Sequence, residues 1–310
     1  MNSRLNPSRR DRLGRERLTT ILLFLLPALI LYAIFVLLPI VQAMRFSFFD
    51  WNGLQPLTDF VGLDNYVRAL TNSVFQGAVG HNVFVIVLSL AIQIPFALGL
   101  ALLLSRRFKG RGVLRLLFFA PYVIAEVITG VIWTLMLQPN GLADGLLTGA
   151  GLGDLYSPWL ADPNTVMAAM FVIISWKYFG FHMILLLAGL QQIPSELEEA
   201  AAIDGATRFQ ATRYVVLPLL GPTLRVSVFL SMIGALQLFD LIWVTTGGGP
   251  VNASNTMATY MFDWGFERHQ LGYGSAVAVI LFIFALVVGL AYQRWVLRRD
   301  VDGALTGGAA

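Results

Sequence analysis

Six long apolar runs, at residues 20–41, 79–104, 113–137, 165–190, 219–245 and 275–296, constrain this chain more than any motif does. Each is near or above the roughly 20 residues that an α-helix needs to cross about 30 Å of hydrocarbon. With 57% hydrophobic and 13% charged residues among 310, the chain cannot hide that surface in one water-soluble core of ordinary proportions. The expected fold class is all-α: a polytopic membrane protein of six transmembrane helices. The first run follows an Arg-rich start, is too long for a signal-peptide core and ends in no small-residue cleavage site before Pro39, so it reads as a retained span.

The basic residues set an orientation. Arg4, Arg9, Arg10, Arg12, Arg15 and Arg17 precede span 1, and Arg106, Arg107, Lys109, Arg111 and Arg115 lie between spans 2 and 3. Arg208, Arg213 and Arg225 follow span 4, while Arg294, Arg298 and Arg299 follow span 6. All four groups fall on one side. The alternate loops carry Asp50, Asp59, Asp64, Asp144, Asp154, Asp162, Asp263 and Glu267 against Arg45, Arg68 and Arg268. The positive-inside rule therefore predicts a multi-pass protein of the cell (inner or plasma) membrane with both termini in the cytoplasm. The expected division is a basic cytoplasmic segment at 1–18, a transmembrane body at 19–300 and a disordered tail at 301–310. The net charge of +3 comes from this bias; it suits anionic lipid headgroups and gives no reason to invoke nucleic acid.

Other chemistry is narrowly bounded. With no cysteine there is no disulfide, thiolate metal site or cysteine nucleophile. His81, His182 and His269 sit at no metal-ligand spacing, and no GxxxxGK[ST] phosphate loop occurs. No metal site, catalytic residue or nucleotide hydrolysis is expected in the chain itself. An intramembrane enzyme lacks a nucleophile–base pair, and an ion-coupled secondary transporter would show paired repeats and several intramembrane carboxylates, where only Glu126 and Asp240 stand out.

Between spans 4 and 5 lies a charged, Ala-rich stretch, 196–218, far longer than an ordinary connection. Pro194 ends the preceding span, Ser195 and Glu198 make an S-x-x-E capping box, and Leu197, Ala200, Ala201 and Ile203 give a short amphipathic helix. Gly205 stops it, a second segment is expected over 206–216, and Pro218 marks the next span. Glu196, Glu198, Glu199 and Asp204 form an acidic patch that anionic lipid would repel and a basic protein groove would accept.

The run Glu199-Ala200-Ala201-Ala202-Ile203-Asp204-Gly205, followed by Val215-Val216-Leu217-Pro218, resembles the EAA loop of ABC importer permeases. The resemblance implies the type I importer permease fold, with a coupling helix seated in a cytoplasmic ATPase. Glu199, Ala200, Ala201, Asp204 and Gly205 would carry the coupling. Phe239-Asp240, Thr246-Gly247-Gly248-Gly249-Pro250, Thr256, Tyr260 and Gly272-Tyr273-Gly274-Ser275-Ala276 are similar to carbohydrate importers of the maltose type, as is Phe60-Val61-Gly62-Leu63-Asp64-Asn65-Tyr66. That similarity implies a second, non-identical permease, two ABC ATPase subunits that bind the ATP and Mg, and an extracytoplasmic solute-binding protein. This chain would carry no cofactor. The large folded external insertion of the bigger maltose-type subunit is not in this sequence.

Polar groups inside hydrocarbon mark pathways. Lys177 lies mid-span with Phe181 at i+4 and Tyr178 beside both, a cation with two rings on one face. In span 5, Ser231, Gly234, Ala235 and Leu238 share a face at i, i+3, i+4 and i+7. The sugar-permease resemblance implies that these stretches line the translocation site; Asp240 reads as a solute contact or, like Gln237 and Trp243, as part of an outer vestibule, with Trp243 also counted among the pathway residues. Each has a plainer reading: the rings as packing, the small face as a helix contact, and Lys177 as a partner of Glu126 or Asp240. Sugars are held by hydroxyl hydrogen bonds and by stacking on rings, which suits Tyr178, Phe181 and Trp243; a phosphorylated polyol such as glycerol 3-phosphate would use Lys177 instead.

Overall fold

The computed structural model describes residues 21, 23–106 and 108–297. The basic segment and tail expected at the two ends, with Arg107, Arg298 and Arg299, lie outside the described residues. Among the described residues, five helices are long and apolar enough to cross a membrane: α1 (Leu23–Phe46), α3 (Ser73–Ser105), α7 (Val166–Leu190), α9 (Arg208–Leu236) and α12 (Leu271–Val296). Short α2 (Asp64–Thr71) precedes α3. The pair α4 (Arg111–Val123) and α5 (Glu126–Leu137), which continues into α6 (Leu142–Gly149), is apolar enough to cross as a sixth span if the bent pair counts as one. Between α7 and α9 lies α8 (Ser195–Ile203), and between α9 and α12 lie α10 (Asp240–Thr246) and α11 (Met257–Phe262).

Burial grades outward from α7, whose most apolar window is 56% buried, to α1, where the figure is 0%. Ala97 and Ala101 of α3 lie one turn apart and pack against Met183, Leu186 and Leu187 of α7, small side chains admitting a close approach of two helices. Towards the other end, Val85 and Ile174 join Ala235, Leu238, Leu241 and Ile242 in one cluster. A third cluster ties α2 and α3 to α11 and α12 through Ala69, Phe75, Tyr260 and Tyr273.

Prolines shape three of the spans. π-helical turns at Ala33–Leu37, Ser89–Gln93 and Thr212–Val216 each end two residues before a proline, Pro39, Pro95 and Pro218. In each, the residue ahead of the proline bonds to the carbonyl five back, as Ile94 N–H does to Ser89. Proline has no N–H and its ring crowds the previous turn, so the ladder widens there rather than breaking.

Two spans expected to be continuous are not. The run at 113–137 bends by 97° between α4 and α5, where Ile124 (ψ 135°) and Ala125 (ψ 143°) are extended. The run at 219–245 ends at Leu236 and restarts at Asp240. In hydrocarbon a freed backbone group needs a protein partner. Lys177 Nζ donates to the Ile124 carbonyl at 2.5 Å, Asn82 Nδ2 to the Ala235 carbonyl at 2.6 Å, and Thr256 Oγ1 to the Leu238 carbonyl at 2.7 Å. Asn82 Oδ1 also accepts the Met257 N–H at 2.9 Å. Asn82→Ala strands two buried backbone groups, and is expected to cost about 2–4 kcal/mol of stability. A thermal midpoint unchanged in detergent would contradict that assignment.

The segment between α7 and α9 also departs from expectation. Ser195 makes no capping bond; Pro194 occupies the cap position and Ser195 is already helical. The capping box forms instead at Thr207 and Gln210, with Thr207 N–H donating to Gln210 Oε1 at 2.7 Å. The expected separate segment at 206–216 is the first part of α9, which runs unbroken to Leu236. The amphipathic face expected on α8 finds no core: none of its residues is buried, and Ile203 is 86% exposed.

Candidate functional site: a mid-span cavity and an exposed helical knob

Midway along the bundle, α3, α4, α7 and α9 enclose a cavity of about 210 Å³. The π turn of α3 sends Ser89 and Gln93, both buried, to its wall. Tyr122 comes from α4 immediately before the bend; Ile174, Tyr178, Phe181 and His182 come from α7; Leu230, Ser231, Gly234 and Ala235 come from α9, with Leu238 just beyond its end. Tyr122 stacks on Phe181 at 4.9 Å between ring centroids and meets Tyr178 edge-on at 6.0 Å. The Tyr178 hydroxyl donates to the Glu126 carboxylate, and His182 Nδ1 is hydrogen-bonded to Ser227 Oγ at 2.8 Å. The lining therefore offers rings, hydroxyls and an amide, with no ammonium, guanidinium or carboxylate among the described residues that form it.

Of the nine residues expected along the pathway, Tyr178, Phe181, Ser231, Gly234, Ala235 and Leu238 meet at this cavity. Leu238 reaches it from the broken stretch after α9, not from a continuous helical face. Lys177 does not share the wall with Phe181. Its side chain, 2% exposed, turns to the bend and joins Glu126 in a neighbouring hollow that Tyr122 and Tyr178 border from the other side. Asp240 is exposed in the first turn of α10, and Trp243 packs against Phe239 and Phe262. Sequence reasoning missed Ser89, Gln93, Tyr122 and His182. Two polar side chains four apart inside the apolar run 79–104 were the available signal for the first pair.

At the end of the bundle that carries Arg106, Lys109, Arg111, Arg208 and Arg213, α8 projects as a knob. Glu199, Ala200, Asp204 and Gly205 are exposed and Ala201 is half-buried. The knob ends in a Schellman motif: Ala206 N–H bonds to the Ala201 carbonyl at 2.9 Å, and Gly205 N–H to that of Ala202 at 3.1 Å. Gly205 has φ +85°, the left-handed region that glycine enters without penalty.

A polytopic helical bundle with a polar and aromatic cavity at mid-span, and a helical knob at one end, defines a membrane permease. Residues 93–300 match the family described as binding-protein-dependent transport system inner membrane component. The chain belongs to that family. It is 35% identical over 273 residues to the trehalose/maltose transport system permease protein MalF of Thermococcus litoralis, covering 88% of this chain and 92% of that one. It is 33% identical over 291 residues to the diacetylchitobiose uptake system permease protein NgcF of Streptomyces coelicolor, covering 90% and 82%. Among solved structures, a chain of a bacterial ABC transporter involved in the import of the acidic polysaccharide alginate matches with a TM-score of 0.81 and 26% identity, over 93% of this chain and 99% of that one.

Proposed function

We propose that this chain is one permease subunit of an ATP-driven importer of a sugar or oligosaccharide. It forms half of the pathway beside a second, non-identical permease. The observation that carries the solute class is the cavity: Tyr178, Phe181 and Tyr122 supply stacking faces, while Ser89, Gln93 and Ser231 supply neutral hydrogen-bonding groups. MalF and NgcF, named for disaccharide transport, support the same class. Glycerol 3-phosphate is the weaker reading, because a phosphate calls for a cation and Lys177 is spent on the Ile124 carbonyl.

In this reading the basic end of the bundle is cytoplasmic, both termini with it, and an extracytoplasmic binding protein delivers solute to the opposite end. Two ATPase subunits bind ATP and Mg, close, and draw the coupling helices together; the spans then rock from inward-facing to outward-facing, and hydrolysis resets the cycle. Residues 199–205 form the knob that the ATPase grips. Its exposed apolar and acidic side chains, Ile203 at 86% exposed and Glu199, suit a mixed protein groove.

The complete complex in proteoliposomes, with its binding protein outside and ATP inside, tests the reading. Accumulation of labelled neutral oligosaccharide in preference to glycerol 3-phosphate is expected. Uptake of glycerol 3-phosphate alone would overturn the solute class, and uptake independent of ATP would overturn the mechanism.

A further inference from the structure

At the end of the bundle opposite the knob lies a notch of about 140 Å³. Asn72, from the joint between α2 and α3, Asn252, from the loop between α10 and α11, and Asp263, Trp264 and Arg268, from the turn after α11, meet around it. The amide oxygens there are already used. Asn72 Oδ1 caps α3, accepting the N–H groups of Val74 at 2.9 Å and Phe75 at 3.2 Å, and Asn252 Oδ1 accepts from Asn255 Nδ2 at 2.8 Å. Arg268 donates through Nε to Asp263 Oδ2 at 2.9 Å and holds its guanidinium 4.4 Å from the Trp264 ring centre, with Arg68 on the same indole at 4.7 Å. The groups left over are donors: two amide Nδ2 atoms and the terminal nitrogens of Arg268, none with a hydrogen-bond partner among the described residues. The loop that carries Asn252 is fixed by the fully buried Ser254, whose Oγ donates to the Gly249 carbonyl at 2.6 Å. Val251 and Asn252 stand in the left-handed region, at φ +48° and +63°, which Asn enters readily and a β-branched residue does not. Val251 is 86% exposed, so the loop keeps backbone strain at an outward-facing apolar tip next to the notch, and strain of this kind clusters at contact sites.

We propose that this notch receives a carboxylate side chain, an aspartate or glutamate on the docking face of the extracytoplasmic binding protein, with Val251 packing beside it. This rests on the reading of the chain as an importer subunit to which a binding protein delivers solute at this end; the family it belongs to is described as binding-protein-dependent. A carboxylate only accepts hydrogen bonds, so it matches a wall whose free polar atoms donate. A hydroxyl or an ammonium would bring protons to a wall with one carboxylate, Asp263, which Arg268 already pairs. Arg68 and Arg268 against Asp263 leave an excess of positive charge around Trp264, and Glu267, exposed on the same turn, is not among the lining residues. The guanidinium is held by Asp263 and the indole, and the two amides by the bonds at their oxygens, so little freedom is lost when a partner's carboxylate enters.

The test titrates the complete complex in nanodiscs with its solute-loaded binding protein and reads the stimulation of ATP hydrolysis. Asn252→Asp is the sharpest variant: it is isosteric, keeps the acceptor for Asn255 Nδ2 and tolerates the left-handed backbone, yet puts a carboxylate where the partner's would sit. It is expected to raise the binding-protein concentration for half-maximal stimulation about tenfold, with the stimulated maximum retained. Arg268→Gln shows the same shift and Arg268→Lys, which keeps the charge, a smaller one. The gap between wild type and Arg268→Gln narrows as salt rises, which a merely structural defect would not show. Equal half-maximal concentrations for wild type, Asn252→Asp and Arg268→Gln would overturn the notch, as would loss of the second permease on copurification of either variant, which marks it as a subunit contact. A wild-type complex whose ATP hydrolysis responds to no binding protein overturns the importer reading itself, and the notch with it.

Discussion

Replacing Gly205 by valine is expected to reduce solute uptake about tenfold or more while leaving membrane insertion and the level of the chain unchanged. At φ +85° a Cβ would meet no atom within 4 Å, so space is not the difficulty. The backbone is: an L-residue in the left-handed region costs roughly 1–2 kcal/mol, more when β-branched, and Asn tolerates it best. Valine therefore loosens the Schellman closure that sets the angle of α8 against the start of α9, and in the proposed coupling a lever with a slack joint transmits less of the ATPase movement. Gly205→Asn separates this cause from any other. It should retain most of the uptake, and equal losses in the two variants would contradict the backbone argument.

Gly180→Ala is expected to act on the fold itself. A Cβ there would lie 2.0 Å from the Phe118 carbonyl oxygen, 2.8 Å from its carbon and 3.0 Å from Phe119 Cα, all backbone atoms of α4. No rotamer change relieves such a contact, so α4 and α7 must move apart. Overpacking of this kind costs about 1–3 kcal/mol, and here the displaced helix also carries Tyr122, whose ring stacks on Phe181 at the cavity wall. A lowered thermal midpoint in detergent together with weaker solute affinity is the expected result. A midpoint equal to wild type would show that the helices accommodate the methyl group.

How much of this was readable beforehand follows from the range of the interactions. Length and hydropathy are local, and they located α7 and α12 to within four residues, while the end of α1 and the start of α3 lie five and six residues beyond the expected runs; the αL stop at Gly205 was legible for the same reason. The two breaks were not. Each persists because a buried side chain far along the chain takes up the freed backbone groups: Lys177 acts 53 residues from Ile124, and Asn82 acts 153 and 175 residues from Ala235 and Met257. Lys177 shows the cost of reading one helix alone. Its spacing from Phe181 placed it with the pathway, whereas its ammonium lies against the bend.

The cavity divides in the same way. Its α7 and α9 walls were visible as rings and small residues at helical spacing. The α3 wall depended on a π turn ahead of Pro95 that brings Ser89 and Gln93 round together. The capping box misled for a local reason: Ser195 and Glu198 have the right spacing, but Pro194 already holds the cap position.

The absence of native cysteines gives the most direct test of the central claim, that α8 is gripped by a cytoplasmic ATPase. With Ala200→Cys as the sole thiol of the permease, a heterobifunctional maleimide–succinimidyl ester should link it to a lysine of the ATPase subunit in the assembled complex, and a membrane-impermeant maleimide should leave it unlabelled in intact cells. Labelling from outside, or no link to an ATP-hydrolysing subunit, would contradict the account.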